Sequence, residues 1–376
     1  MTAWAAPALI ASAYYALALI AAAKWRRPPG PRGPGPARRP APLSVLKPVR
    51  GRDPRFYEAI RSHAAQDYPE FEILFGMTDP DDPALPEIRR LQREFPAVPM
   101  AIHLVSTSAP NTKVGVLAEL AKHARHPLLL VNDADILVGP GYFRAIAAPL
   151  AGEGDAPRAG LVTCLYRATG ETRLARFEAL GVSTEFAPSV LVARLLGVGE
   201  FALGATMAFR AATLRAIGGF EKIAGYLADD YQLGFRITQS GRRIAFAPVV
   251  VETTLDGATW SDIWRHQVRW ARTVRVGRPG GYFGYGVTYA TTWALVAFAA
   301  GQWPSGVLAL ALRMAAAVWI GAGILQDRRA LSRFWLVPFR DLFGFAVWVA
   351  GLFGRTIYWR GVRLALSRDG QIRPSS

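Results

Sequence analysis

A single cysteine, Cys164, in 376 residues excludes an intrachain disulfide and any cysteine-built metal cluster. It lies in the apolar run 160–165 and reads as an inert core thiol. Acids are scarce: 28 Asp and Glu stand against 44 Lys and Arg, a formal charge of +16. Such a balance points to anionic partners, whether nucleic acid, a phosphorylated substrate or an acidic lipid surface. Charged residues make up 19% of the chain and apolar residues 51%, where soluble domains average about 25% and about 45–50%. The excess argues against a purely soluble or a disordered chain. Also missing are a phosphate-binding Walker loop, a dinucleotide fingerprint, a His-Glu-x-x-His pair and a nucleophile elbow. Their absence weighs against nucleotide hydrolysis, redox chemistry and proteolysis.

The apolar excess collects at the two ends. Residues 3–23 carry no charge and are followed by Lys24, Arg26, Arg27, Arg32, Arg38 and Arg39. Residues 1–24 therefore read as a transmembrane anchor with its N-terminus outside and the following chain in the cytoplasm. A secretory signal would carry its basic residues before the apolar run. Residues 25–42 form a Pro/Gly/Arg linker suited to anionic headgroups. At the other end, residues 277–376 read as a membrane region with spans near 282–300 and 306–325 and a basic tail. The stretch 334–353 contains Pro338, Arg340 and Asp341 and has basic flanks on both sides, so it reads as re-entrant or interfacial. Arg313, inside the preceding span, is either a functional charge or a side chain that snorkels or pairs within the bundle. The pattern predicts a multi-pass membrane protein, with residues 43–276 in the cytoplasm.

Within 43–276, apolar runs at 43–46, 71–76, 102–105, 128–131 and 161–165 alternate with helical stretches. This rhythm predicts an α/β fold, a mainly parallel sheet covered by helices on both faces, with the site beyond the C-terminal ends of the strands. Farther on, the sequence suggests a strand at 205–209, a helix at 229–239 and paired strands at 243–246 and 249–253. A helix over 259–272 follows, whose Trp260, Trp264, Arg265, Arg269 and Trp270 suit the headgroup level.

The strongest local constellation is the run 128–131 ending in Asn132-Asp133-Ala134-Asp135. Two carboxylates at a strand end hold magnesium or manganese against a diphosphate, or else form a solvated turn. Asp79 follows the run 71–76 and is placed to meet a ligand's donors, whereas Asp81 and Asp82 read as turn and cap residues. Asp229 and Asp230 open a helix, where a cap accounts for one aspartate more easily than for two. One of them is a candidate general base for an acceptor hydroxyl. Lys47, after the first strand, and Lys113, at a helix start, are candidates to hold phosphate or are solvated loop lysines. His266, Arg269 and Trp270 lie on the tryptophan-rich helix, either as interfacial residues or as a site for a diphosphate and a sugar face.

In this order the clusters resemble a membrane-bound inverting glycosyltransferase of the nucleotide-diphospho-sugar (GT-A) type. More narrowly, the chain resembles glycosyltransferase family 21, the ceramide glucosyltransferases and bacterial relatives that include hopanoid-pathway enzymes. The resemblance rests on Leu46-Lys47-Pro48-Val49-Arg50-Gly51, Asp79-Pro80-Asp81-Asp82, Asn111-Thr112-Lys113, Asp133-Ala134-Asp135, Gly204-Ala205-Thr206-Met207, Asp229-Asp230-Tyr231, Arg269-Trp270 and Pro338-Phe339-Arg340-Asp341. It implies that Lys47, Asp79, Lys113 and Asp133 bind a UDP-sugar and that Asp133 and Asp135 hold a divalent metal, Mg or Mn. It implies further that Asp230 is the base that deprotonates a lipid hydroxyl, and that His266, Arg269 and Trp270 serve the diphosphate and the acceptor. The implied acceptor is ceramide, with a hopanoid polyol as alternative, and no nucleic acid takes part. The chain departs from the family pattern at His266, where relatives carry glutamine or arginine, and at Thr112, where they often carry proline. Another class remains open, a non-enzymatic basic membrane protein that binds acidic lipid or nucleic acid.

Overall fold

The computed structural model describes residues 3–25, 40–151, 158–255, 259–359 and 362–374. Most of the expected linker 25–42 lies outside the described residues. The chain divides into two compact units, one of Arg27–Tyr166 and Gly199–Thr254, the other of Met1–Arg26, Arg167–Val198 and Leu255–Ser376.

The first unit is built on a seven-stranded sheet of β1 (Leu43–Pro48), β2 (Phe71–Met77), β3 (Met100–Leu104), β4 (Leu128–Val131), β5 (Leu161–Thr169), β6 (Met207–Arg210) and β7 (Ile244–Thr254). Its spatial order is β3-β2-β1-β4-β6-β5-β7. The four strands β3, β2, β1 and β4 run parallel, while β6 is antiparallel to both β4 and β5. Strands β1, β2 and β4 are buried on both faces and mostly apolar; β4 is Leu-Leu-Leu-Val, and the polar Ser44 of β1 and Glu72 of β2 pair with each other, Ser44 Oγ donating to Glu72 Oε1 at 2.6 Å. Leu128 and Leu130 join a core with Phe56, Ile60, Phe143 and Ile146. Leu129 and Val131 join the opposite core with Val114, Leu117, Leu120 and Leu233. Helix Thr112–His123 approaches β2 so closely that a Cβ on Gly76 would stand 2.5 Å from Val116 Cγ1. The register pairs Leu46 with both Leu74 and Val131, so β1, β2 and β4 end side by side. Lys47, Asp79 and Asn132-Asp133 thus emerge along one carboxyl edge.

One expectation is corrected here. Residues 244–254 form a single strand rather than a hairpin of 243–246 and 249–253. Pro248 is tolerated inside it because β7 is the last strand of the sheet, where a missing N–H costs no ladder bond.

Among the described residues, the second unit contains three helices long and apolar enough to cross a membrane, Ala3–Lys24, Trp303–Ile324 and Phe334–Gly351. Small residues let them pack closely: Ala8, Ala11, Ala18 and Ala22 are buried on the first, Ala309, Ala316 and Ala317 on the second. The stretch expected to span at 282–300 is instead divided into Pro279–Tyr285, a 3-10 turn Gly286–Thr288 and Ala290–Ala299. Ten helical residues reach about 15 Å, half of a hydrocarbon core of about 30 Å. Conversely, the stretch over 334–353 is a helix of spanning length despite its charges. Both charges are buried and paired: Asp341 accepts from Arg313 Nη2 at 2.7 Å and Thr291 Oγ1 at 2.9 Å. Arg340 Nη2 stands 3.3 Å from Glu185 Oε2 and 3.2 Å from Gln267 Oε1. Arg313 accordingly pairs within the bundle. Part of the basic tail forms a three-stranded antiparallel sheet of Thr356–Trp359, Val362–Leu366 and Ile372–Pro374.

Candidate active site at the carboxyl edge of the sheet

At the end of β4 the chain turns from a fully buried strand into Asn132, Asp133 and Asp135. Asn132 anchors that turn. Its Nδ2 donates to Ala205 O at 2.6 Å and to Tyr142 Oη at 2.9 Å, while Oδ1 lies 3.2 Å from His63 Nε2. Burial and the charge of Lys47 hold the His63 pKa well below the usual imidazole range. The loop beyond is tied to β7 through Leu137 N to Glu252 O, 2.8 Å. Thr253 Oγ1 also donates to Asp135.

Two lysines serve the carboxylates. Lys47 is fully buried at the end of β1, and its Nζ donates to Asp133 O at 3.1 Å. Burial lowers its pKa to about 7 against the pull of Asp135 and Asp133. Lys113 sits in the first turn of helix Thr112–His123, whose cap Asn111 accepts from Val114 N. Its Nζ bridges Asp133 Oδ1 at 2.7 Å and Asp229 Oδ2 at 3.1 Å. Burial opposes the charge on Lys113, yet the two aspartates outweigh it and raise the pKa well above the ordinary amine range. For Asp135, burial and the Asp133 charge raise the carboxyl pKa, with Thr253 and Lys47 acting in opposition.

Asp230 opens helix Asp229–Gln239 and turns its Oδ2 toward Gly204 N, 3.1 Å away. A Cβ on Gly204 would stand 3.3 Å from Asp230 Oδ2 and 3.8 Å from Asp133 Oδ2, so this glycine keeps open the space between two carboxylates. Burial and Asp229 raise the Asp230 pKa to about 6, while Lys113 restrains the rise. The buried Tyr166 hydroxyl responds to the same group, raised by burial and then by Asp230, Asp133 and Asp135.

Asp79 is exposed at the end of β2, where its Oδ1 accepts from Asp81 N at 2.9 Å. Asp82, read from sequence as a cap, is buried and does more. It accepts from Ala84 N and from Gly51 N, 2.9 and 2.8 Å, and so clips the loops after β1 and β2 together.

Lys47, Lys113, Asp133, Asp135 and Asp230 are therefore gathered in one cluster, with Asp79 on the same strand edge. His266, Arg269 and Trp270 belong to the other unit, on helix Trp260–Gly277. There His266 Nδ1 stands 2.7 Å from Glu178 Oε1, to which Gln267 Nε2 donates at 2.9 Å. Burial favours protonation of Glu178, yet the contacts with His266 and Gln267 hold its pKa below the usual carboxylate value. Trp270 is 42% exposed, its ring edge-on to Phe186 and His266. Sequence reasoning missed His63, Thr253, Tyr166 and Glu178, which are isolated in the chain and meet their partners only in the fold.

A divalent ion suits this donor set. Among the described residues no three His, Cys, Asp or Glu side chains enclose an ion by themselves. Asp133 and Asp135 nonetheless offer two hard carboxylates, and Asp135 is desolvated beside a like charge that a cation would neutralise. Magnesium commonly binds through one or two carboxylates completed by substrate phosphate and water.

The model for Glycosyl transferase family 21 matches residues 3–372. Ceramide glucosyltransferase 1 of Caenorhabditis elegans is 28% identical over 206 residues, 54% of this chain and 44% of the worm protein. A ceramide glucosyltransferase of Candida albicans is 32% identical over 108 residues, 25% of this chain and 20% of its own. The chain thus matches less than half the length of these curated relatives. Among solved structures, a mannosyltransferase from Pyrobaculum calidifontis in complex with GDP-Man and Mn2+ superposes with a TM-score of 0.53 at 19% identity. That match covers 93% of this chain and 99% of the other. The likeness shows the fold, a GT-A-like glycosyltransferase architecture with a mainly parallel sheet.

Proposed function

The chain belongs to Glycosyl transferase family 21, and on that premise we propose that it transfers a sugar from a UDP-sugar to the hydroxyl of a membrane lipid, ceramide first among acceptors. Family membership sets aside the reading as a non-enzymatic basic protein. The observation that carries the proposal is the approach of the Asp133 and Asp230 carboxylates across Gly204, with Lys113 bridging Asp133 to Asp229. This supports reading Asp133 and Asp135 as serving the diphosphate through a divalent ion and Asp230, whose pKa is raised, as the group suited to proton abstraction.

In the mechanism proposed, Lys113, Asp79 and Asp133 hold and orient the donor, while Lys47, expected to bind it directly, is fully buried and acts through the Asp133 backbone carbonyl to which it donates. Asp133 and Asp135 would bind a Mg or Mn ion, which supplies positive charge for the departing diphosphate. Asp230 takes the proton from the lipid hydroxyl as its oxygen bonds to the anomeric carbon from the face opposite UDP. The bond from that carbon to the diphosphate oxygen breaks, its electron pair leaves with UDP, and the configuration inverts. His266, Arg269 and Trp270 are assigned to the diphosphate and the acceptor, with Glu178 fixing the His266 ring. A lipid acceptor stays in the membrane while the donor is water-soluble, which accounts for exposed Trp260, Trp264 and Trp270 on an arginine-rich helix. The same reading makes the protein multi-pass, in a bacterial inner membrane, with the catalytic unit in the cytoplasm.

The test is to incubate the protein in lipid with a panel of UDP-sugars, Mn2+ or Mg2+, and ceramide or a hopanoid polyol, and to read lipid products by mass spectrometry. A hexosylceramide is expected. A product with the hopanoid alone would move the acceptor, and no product with any pair would overturn the proposal.

A further inference from the structure

A cavity of about 270 Å³ opens in the helical unit beside helix Arg173–Gly181 and helix Arg328–Leu331. Three arginines line it: Arg176 from the first helix, Arg329 from the second and Arg333 just beyond. The one acid lining it among the described residues, Asp327, is buried and already engaged, accepting from Ser183 Oγ at 2.7 Å and from Ala330 N at 3.2 Å. Arg176 Nε donates to Gly170 O at 3.2 Å, and none of the three arginines forms an ion pair among the described residues. Burial and the nearby Arg176 and Arg329 hold the Arg333 guanidinium below its ordinary pKa, despite the opposing pull of Asp327.

Guanidinium groups converging on one cavity repel each other, and an anion with several oxygens turns that repulsion into forked, charge-assisted hydrogen bonds. The position selects the kind of anion. The lining segment joins the end of helix Trp303–Ile324 to the start of helix Phe334–Gly351, the level at which spanning helices meet water. Leu331, Trp335 and Phe339, which flank Arg333 in the chain, are exposed, as residues facing acyl chains and headgroups would be. The volume falls below the roughly 300–1,000 Å³ of sites that enclose a whole small ligand, enough for a headgroup whose chains lie outside.

We propose that this cavity binds the phosphate headgroup of an anionic membrane lipid, at a site formed by none of the residues assigned to sugar transfer. The test uses the full chain in neutral micelles titrated with phosphatidylglycerol or phosphatidylcholine, with bound lipid counted by native mass spectrometry. Wild type should retain one phosphatidylglycerol at least about tenfold more tightly than R329Q/R333Q, as expected from losing two charged hydrogen-bond donors. Phosphatidylcholine retention and thermal unfolding should be alike in both. R329K/R333K keeps the charge without the forks and should fall between them, which holds the test open if the glutamine variant does not fold. Equal phosphatidylglycerol retention in wild type and variants would overturn the proposal. Displacement of the lipid by millimolar inorganic phosphate or UDP would also overturn it, assigning the cavity to a soluble anion.

Discussion

Replacing Lys113 with methionine tests the electrostatics of the cluster most severely. Its ammonium is the shared partner of Asp133 at 2.7 Å and Asp229 at 3.1 Å, so its loss strands two carboxylates with Asp230 beside them. Removing one partner of a buried pair costs about 3–5 kcal/mol. The Asp229 side chain is 13% exposed and carries that cost nearly in full, whereas Asp133 at 43% is screened by water. The lower end, about 3 kcal/mol, is therefore expected. At about 2–4 °C per kcal/mol for units of this size, thermal unfolding should fall by about 6–12 °C. Activity should shift in a defined direction as well. A base acts as its carboxylate, so the rate climbs as pH rises through its pKa. Lys113 holds the Asp230 pKa down, so without it that climb moves to higher pH than the value of about 6. Lys113→Met with Asp229→Asn removes the stranded charge and should recover most of the loss. An unfolding temperature within about 2 °C of wild type, or an acid limb that stays in place, would refute the reasoning.

Asp230→Asn should lower turnover by about 10²–10⁴-fold while UDP affinity, measured by calorimetry, stays the same. Asp229→Asn removes a charge that raises the Asp230 pKa, so the acid limb of the pH–rate profile should move to lower pH. Arg313→Met leaves buried Asp341 without its guanidinium partner and should cost about 3–5 kcal/mol in unfolding measured in lipid, largely recovered in Arg313→Met/Asp341→Leu. Chelation should abolish turnover, with Mn2+ or Mg2+ restoring it, and Asp135→Asn should demand more metal for half-restoration.

The parallel strands were legible because β1, β2 and β4 bury both faces and so read as short, mostly apolar runs broken only by Ser44, Lys47 and Glu72. The acidic clusters were legible for a related reason: a charge directly after such a run has to emerge at the strand end. What escaped the sequence depends on partners far apart in the chain. Arg340 and Asp341 seemed to forbid a buried helix until Glu185 and Arg313 stood beside them, 155 and 28 positions away (340 − 185 and 341 − 313). Hydropathy alone carries no sign of the 3-10 turn at Gly286–Thr288 that divides the stretch 282–300. His63 looked like any lone histidine on a helix, and only the fold shows it against Asn132 beneath the aspartates. Arg329 and Arg333 belong to the basic flank before 334–353, and nothing in the sequence joins them to Arg176, about 150 residues earlier.

The central claim is a single inverting displacement with Asp230 as base. The most direct test is the anomeric configuration of the lipid product made from an α-linked UDP-sugar, read by proton coupling constants for wild type and Asp230→Asn in parallel. The account predicts a β-linked glycolipid from the wild type and none above background from the variant. An α-linked product, or β-linked product formed at the wild-type rate by the variant, would contradict it.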